Sequence, residues 1–343
     1  MTIQEIEQMI KGPQYDFLRT NPHLQGRIVF LTLGGSYAYG TNVETSDVDI
    51  RGCALPRPRD LLGFGSFDQV VNEATDTTVY SFGKLISLLI SCNPNTIEML
   101  GCKPEHYLLM TDTGRYMIEN RHMFLSQHAA HSFSGYATQQ LRRLENALAR
   151  DVLPQARKEE HILHSMENAK RAFEGKYTDM PEGSIILRTD VSSRASLDRE
   201  IFADITLKHY PARQFNGIIA DLENIIRTYE KLNHRNHKKD ENHLNKHAMH
   251  LIRLYLMGLD ILEKEEIVTY RENDLDLLRS IRRGDFQKED GTYREEFFQM
   301  VNEFENRLDY AVKHTSLPEE PDMERIEDFV MNVNRKVVAE SDT

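Results

Sequence analysis

The 343-residue chain predicts an α/β (α+β) unit followed by a mostly helical region, and three observations carry that expectation. Short runs rich in β-branched residues alternate with helical candidates up to about Leu100. From about Tyr107 onward strand signals become rare and long stretches carry helical spacing. Hydrophobic residues make up 40% and charged residues 28%, a balance that excludes both a disordered chain and a membrane-embedded one. The organisation expected is one α/β unit over 1–110 and a mostly helical region over 111–343 with an acidic end.

The run Arg27-Ile28-Val29-Phe30-Leu31-Thr32-Leu33 reads as a buried strand, because it is apolar, β-branched and stopped by Gly34-Gly35. Val48–Cys53 and Thr77–Tyr80 read the same way. Lys84–Ser91 is a helical candidate stopped by Asn93-Pro94, and Thr96–Leu100 follows it. Further helices are expected over Ser134–Arg150, Glu159–Gly175, Phe215–Leu232 and Lys246–Lys264. In the last of these, Ala248, Leu251, Ile252, Tyr255, Leu259 and Leu262 form one apolar stripe, with Lys246, His250 and Arg253 aligned beside it. A final helix, Met323–Val338, follows the break at Pro318–Pro321 and is expected to dock onto the body.

The longest apolar run, Leu85–Ile90, is too short to cross a bilayer, and the first residues lack the basic and apolar blocks of a signal peptide. Three cysteines without a C-x-x-C pair point to neither a disulfide framework nor a cysteine zinc site. A cytoplasmic protein without a membrane partner is therefore expected. The formal charge of −12 argues against nonspecific coating of nucleic acid, but it is unevenly spread. Residues 263–343 hold 12 Lys/Arg against 22 Asp/Glu, whereas Lys231–Arg253 holds six against two, with five histidines interleaved. That basic stretch reads either as a local binding face or as a solvated helix end and loop.

The chemistry concentrates in Gly34-Gly35-Ser36-Tyr37-Ala38-Tyr39-Gly40 and, shortly after it, Ser46-Asp47-Val48-Asp49-Ile50-Arg51-Gly52. Glycines let the backbone turn sharply and approach a ligand, and Ser36 falls where a helix begins, its free N–H groups attracting phosphate. Asp47 and Asp49 are two apart, so on a strand both carboxylates share a face suited to one or two Mg²⁺ ions, with Mn²⁺ as a substitute. Amides for phosphate beside carboxylates for metal are what attack on a nucleotide α-phosphate requires. Such chemistry usually uses a third carboxylate; Asp76 is the best placed and Glu73 the fallback, with a strand-initiating cap as the alternative role for Asp76.

These two segments resemble the signature of the DNA polymerase β superfamily of nucleotidyltransferases. They resemble more closely the bacterial and phage "predicted nucleotidyltransferase" family that includes polymerase β-like proteins associated with RNA repair. Tyr80–Leu85, Asn93–Leu100, Lys246–Leu254 and Ile281-Arg282-Arg283-Gly284 are similar to that family's later motifs, so the resemblance spans roughly residues 30–285 in blocks. It implies a polymerase β-like fold with a mixed sheet and a Mg²⁺-dependent transfer of a nucleoside monophosphate from an NTP, ATP included, to a hydroxyl acceptor. An RNA or tRNA 3′ end is one implied acceptor; a protein, a small molecule, or mere binding of nucleotide or RNA by the same fold are the alternatives. By resemblance, Asp47, Asp49 and Asp76 would be catalytic metal ligands and Gly35 and Ser36 would hold the triphosphate. Lys84, Lys246, His250 and Arg253 would contact nucleotide or acceptor. Arg51 would either reach a phosphate or pair with a carboxylate. His243, His247 and His250 have helical spacing but no acidic partner in sequence, so an acceptor-facing or solvated stretch is favoured over a zinc site. Tyr136–Arg143, with Gln139, Gln140, Arg142 and Arg143, is a second candidate for phosphate contact or an exposed helix face.

Overall fold

The computed structural model describes residues 1–151, 177, 184–191, 193, 199–233 and 241–339. In chain order the elements begin with α1 (Ile3–Met9), α2 (Phe17–Thr20), β1 (Ile28–Leu33), α3 (Gly35–Tyr39) and β2 (Ile50–Ala54). They continue with α4 (Pro58–Leu62), β3 (Gln69–Asn72), β4 (Thr77–Ser81), α5 (Phe82–Ile90), α6 (Pro94–Ile97), β5 (Tyr107–Met110), α7 (Asp112–Glu119) and α8 (His128–Asp151). Beyond these come β6 (Ile185–Val191), β7 (Arg199–Ile205), α9 (Ala212–Asn233), α10 (Glu241–Lys264), α11 (Leu275–Arg283), α12 (Glu295–His314) and α13 (Met323–Ala339). The expected helix over 159–175 lies outside the described residues.

The chain divides into two compact units: Met1–Leu141 with Ala248–Phe286 and Arg294–Thr343, and Arg142–His247 with Gln287–Tyr293. The first contains a mixed five-stranded sheet in the order β3-β4-β2-β1-β5. β1 is antiparallel to β2 and β5, while β2 and β4 run parallel with Ile50 opposite Thr77. β1 sits inside the sheet and is buried along Val29–Leu33, which is why its sequence is a continuous apolar run and not an alternating one. Tyr15, Leu18 and Leu24 cluster with Leu31, Ile50, Ala54 and Val79, so the N-terminal segment covers one sheet face. Gly114 brings α7 close to β1, because a Cβ there would lie 2.9 Å from the Val29 carbonyl oxygen.

Local signals set the ends of several helices. β4 runs straight into α5, where the Ser81 side chain accepts from the Lys84 N–H. Pro94 opens α6 behind the Asn93 cap, and the helix continues as a 3₁₀ turn over Glu98–Leu100. α13 docks through Phe329, which stacks on Tyr116 at 4.8 Å and meets Phe82 edge-on at 5.5 Å.

The second unit contains an antiparallel hairpin of β6 and β7, paired from Ile185 opposite Ile205 to Val191 opposite Arg199. Ile185 packs with Ile218 and Leu222 of α9, and the Tyr177 hydroxyl donates to Asp221 Oδ2 at 2.8 Å. This hairpin and β5 are strands in the stretch expected to be mostly helical. β5 is a four-residue strand defined by its pairing with β1, and β6 has three consecutive apolar residues, Ile185-Ile186-Leu187, before Arg188, so both apolar runs are shorter than that of β1. No helix among the described residues is long and apolar enough to cross a membrane.

Phe329→Ala is expected to destabilise the protein by about 3 kcal/mol, because Tyr116 and Phe82 lose a shared aromatic partner. Urea unfolding followed by circular dichroism measures it; an unchanged midpoint would mean that α13 docks without this contact.

Candidate functional site

The site starts where β1 ends. The Gly34 N–H donates to the Asp49 carbonyl oxygen at 2.8 Å, tying the turn to the segment that leads into β2. Gly35 follows with φ +52°, and a Cβ there would run into the Asp49 carboxyl group, 2.7 Å from its Cγ. Only glycine satisfies both the backbone angle and the close approach. The five-residue helix α3 then runs to Gly40, which caps it in the left-handed region at φ +74°. Ser36 is half-buried in its first turn.

Asp47 and Asp49 lie in the extended segment just before β2, whose first residue is Ile50. The alternation expected on a strand still holds: Val48 and Ile50 pack into the core, Asp47 is exposed and Asp49 is half-buried against Gly35. Arg51 continues the same segment and bridges two carboxylates. Its Nη2 lies 3.3 Å from Asp49 Oδ1 and 3.2 Å from Asp76 Oδ1, while Nη1 donates to the Asp76 carbonyl at 2.7 Å. Asp76 is a non-glycine residue at φ +42°, ending the 3₁₀ turn Glu73–Thr75, and its carbonyl also accepts from the Ile50 N–H at 3.1 Å. Glu73 is exposed in that turn, and Lys84 is exposed in the first turn of α5.

Beneath the turn lies a buried charged cluster. Glu98 accepts from the Tyr39 hydroxyl at 2.8 and 2.9 Å and pairs with Arg253 at 2.8 Å. Arg253 is 1% exposed; its guanidinium lies 3.8 Å from the centre of the Tyr39 ring and its Nη2 is 3.0 Å from His250 Nδ1. Burial pushes the Tyr39 phenol well above its usual pKa, so it stays a hydrogen-bond donor to the carboxylate; Arg253 opposes that shift and Glu98 adds to it.

The structure therefore brings Gly35, Ser36, Asp49, Arg51 and Asp76 together around one turn, with Asp47 two residues from Asp49. It does not align Lys246, His250 and Arg253 on one exposed face. Lys246 is exposed and belongs to the second unit, His250 is half-buried against Arg253, and Arg253 points inward. The reason is that α10, from Ala248 on, is buried on nearly all sides, with Leu254, Met257 and Ile261 covered as fully as the expected stripe. In the Tyr136–Arg143 stretch, the Tyr136 hydroxyl accepts from Asn93, Gln140 is buried, and Gln139, Arg142 and Arg143 are exposed. His234, His237 and the side chain of His243 lie outside the described residues, and His247 is half-buried.

Among the described residues no group of three or more His, Cys, Asp or Glu side chains gathers as a metal site, and the Arg51 guanidinium stands between Asp49 and Asp76. The pair Asp47 and Asp49 nevertheless fits Mg²⁺ or Mn²⁺. Carboxylate oxygens are the hard donors these ions take, and the missing Cβ of Gly35 lets the turn pack directly on the Asp49 carboxyl group.

Tyr39, Glu98 and Arg282 were read from the sequence only inside motif blocks, with no role of their own, and Arg279 was not noted. Arg279 and Arg282 reach the segment after α3, donating to the carbonyls of Gly40 and Thr41. The available signal for Glu98 was a lone charge inside the apolar run Thr96–Leu100.

Two outcomes are expected. Gly35→Ala should cost clearly more stability than Gly26→Ala, which has a similar φ of +65° but open space at its Cβ and so about 1 kcal/mol of backbone strain alone; denaturant unfolding of both variants compares them. Arg253→Met should destabilise by about 3–5 kcal/mol by leaving Glu98 buried without its cation, and Glu98→Gln added to it should recover part of that loss. Equal stability of the single and double variants would contradict this account of the cluster.

Residues 7–164 match the family model for the RNA repair pathway DNA polymerase beta family. No curated protein and no solved structure matches the chain. Residues 7–164, a little under half of the chain, are thus similar to a polymerase β-like nucleotidyltransferase family, and the matched segment holds the whole five-stranded sheet together with the Gly-Ser turn and its aspartates.

Proposed function

We propose that the protein transfers a nucleoside monophosphate from an NTP to a hydroxyl acceptor, releasing pyrophosphate, and that the acceptor is an RNA 3′ end such as that of a tRNA. The observation that carries this reading is the packing of the Gly34-Gly35-Ser36 turn directly on Asp49, two residues from Asp47. In this reading the backbone of that turn binds phosphate and the neighbouring carboxylates bind metal. The similarity of residues 7–164 to an RNA repair pathway family supports RNA as the acceptor.

In this reading Asp47 and Asp49 hold Mg²⁺, with Asp76 as the third acid, within a domain spanning residues 1–110. When bound, the metal neutralises charge on the phosphates and polarises the acceptor oxygen. The first amides of α3, which have no acceptor within the helix, and the Ser36 hydroxyl bind β- and γ-phosphate oxygens. Arg51 and Lys84 balance the remaining phosphate charge. The acceptor oxygen forms its bond to the α-phosphorus as the bond from that phosphorus to the bridging oxygen breaks. The hydroxyl proton passes to a carboxylate of the site, and the electron pair leaves with pyrophosphate. Arg253 acts one layer below, holding Glu98 and Tyr39 under the turn. The acidic total restricts the RNA footprint to a small one.

The test is incubation of the full-length protein with each α-³²P-labelled NTP, Mg²⁺ and total cellular RNA, beside Asp47→Ala/Asp49→Ala. Label is expected in a discrete RNA band, reduced at least about 10²-fold in the variant, the order of loss when one charge-stabilising group is removed. Label on polypeptide or small molecules would overturn the RNA acceptor. The absence of any metal-dependent labelling would overturn the transfer reaction.

A further inference from the structure

The segment between α3 and β2 carries Asp47 at its far end and has no regular secondary structure from Thr41 to Asp49. Two arginines of α11, more than 230 residues away in sequence, hold it. Arg279 donates to the Gly40 carbonyl through Nε at 3.2 Å and Nη2 at 2.8 Å. Arg282 donates through Nη1 to the Thr41 carbonyl at 2.9 Å and through Nη2 to the Ser46 hydroxyl at 3.3 Å. The same hydroxyl accepts from the Val43 N–H at 2.9 Å. One planar guanidinium thus joins residue 41 to residue 46 and closes the loop at its base, next to Asp47.

The α11 end of this arrangement is itself fixed. Leu278 and Ile281 are fully buried, Gly284 ends the helix at φ +89°, and a Cβ on Gly40 would lie 2.5 Å from the Tyr270 ring. Lys103 ties Tyr270 and Glu272 down, lying 3.7 Å over the ring of the first and 2.6 Å from the carboxylate of the second. The carbonyls of Gly40 and Thr41 stand just past the C-terminal end of α3, where carbonyls lack helical partners and cations are favoured. Arg279 and Arg282 meet that requirement for a helix too short to hold its end without tertiary support.

We propose that Arg279 and Arg282 are positioning residues for the Asp47/Asp49 centre, and that Arg282 sets the place of Asp47 by closing the 41–46 loop. The inference rests on reading those aspartates as metal ligands. It makes the C-terminal half of the chain, outside the matched 7–164 segment, part of the site's support. Groups that orient metal ligands from outside the coordination shell typically change affinity 10- to 100-fold when removed.

The experiment uses full-length wild type, Arg282→Ala, Arg282→Lys and Arg279→Ala, with two readouts that need no acceptor. Mn²⁺ binding is followed by loss of the free-ion electron paramagnetic resonance signal, and amide hydrogen exchange is followed across the chain. Arg282→Ala is expected to bind Mn²⁺ about tenfold more weakly and to exchange about tenfold faster at residues 42–47, with β1, β2 and α10 exchanging as in wild type. Arg279→Ala is expected to change the same amides less. Arg282→Lys, which keeps one donor, is expected to recover part of both effects.

Wild-type affinity and wild-type loop exchange in Arg282→Ala would overturn the inference. So would faster exchange spread equally over β1 and α10, which marks a general structural role. If wild type itself bound no Mn²⁺, the metal-centre reading would fall, and with it the positioning role. A wild type that binds Mn²⁺ and an Arg282→Ala variant that binds it equally well would instead leave the proposed chemistry standing and remove only the role of Arg282.

Discussion

Gly35 has its backbone against the carboxyl group of Asp49, at a φ of +52°, in space that any Cβ would occupy. Much of the site's layout follows from this contact. The turn must leave β1 at Gly34, whose N–H is taken up by the Asp49 carbonyl, so α3 begins against the segment that carries the aspartates. A short helix placed there has amides at one end and carbonyls at the other that lack partners within the helix. The chain supplies the carbonyls with arginines from α11.

Charge is the second organising constraint. Asp49 and Asp76 would repel across the entrance to β2 and β4, and Arg51 lies between them. One layer further in, Glu98 is held by Tyr39, Arg253 and a backbone-anchored 3₁₀ turn whose carbonyl accepts from Thr269 at 2.6 Å. A buried pair of this kind contributes little net stability compared with an apolar replacement, but it is strongly unfavourable when half of it is lost. Its geometric effect is to fix the Tyr39 ring, and through it α3, against α10.

The sheet was legible because its central strands are chemically extreme. β1 is a nearly uninterrupted apolar run ended by two glycines, Ile50 and Cys53 of β2 are buried apolar residues, and β4 opens on Thr77-Thr78-Val79. β3, β5 and the β6–β7 hairpin were not, since edge and partly exposed strands take their conformation from a partner and not from their own composition. The stripe on α10 was read correctly from Ala248 to Leu262. Its second face was not, because periodicity registers only the strongest side of a helix that is buried all round.

By itself the sequence determined the turn and the local alternation after it: Gly35 where no side chain fits, and apolar Val48 and Ile50 entering the core in alternation with exposed Asp47 and half-buried Asp49. These are local facts, decided by backbone sterics and the period of two. Only the tertiary structure decided what each cation does. Arg51 bridges carboxylates, Arg253 is buried with Glu98, and Arg279 and Arg282 hold the loop before Asp47. An arginine's role depends on which carboxylate or carbonyl stands within a few ångströms of its guanidinium, and those partners come from parts of the chain as far as 241 residues apart.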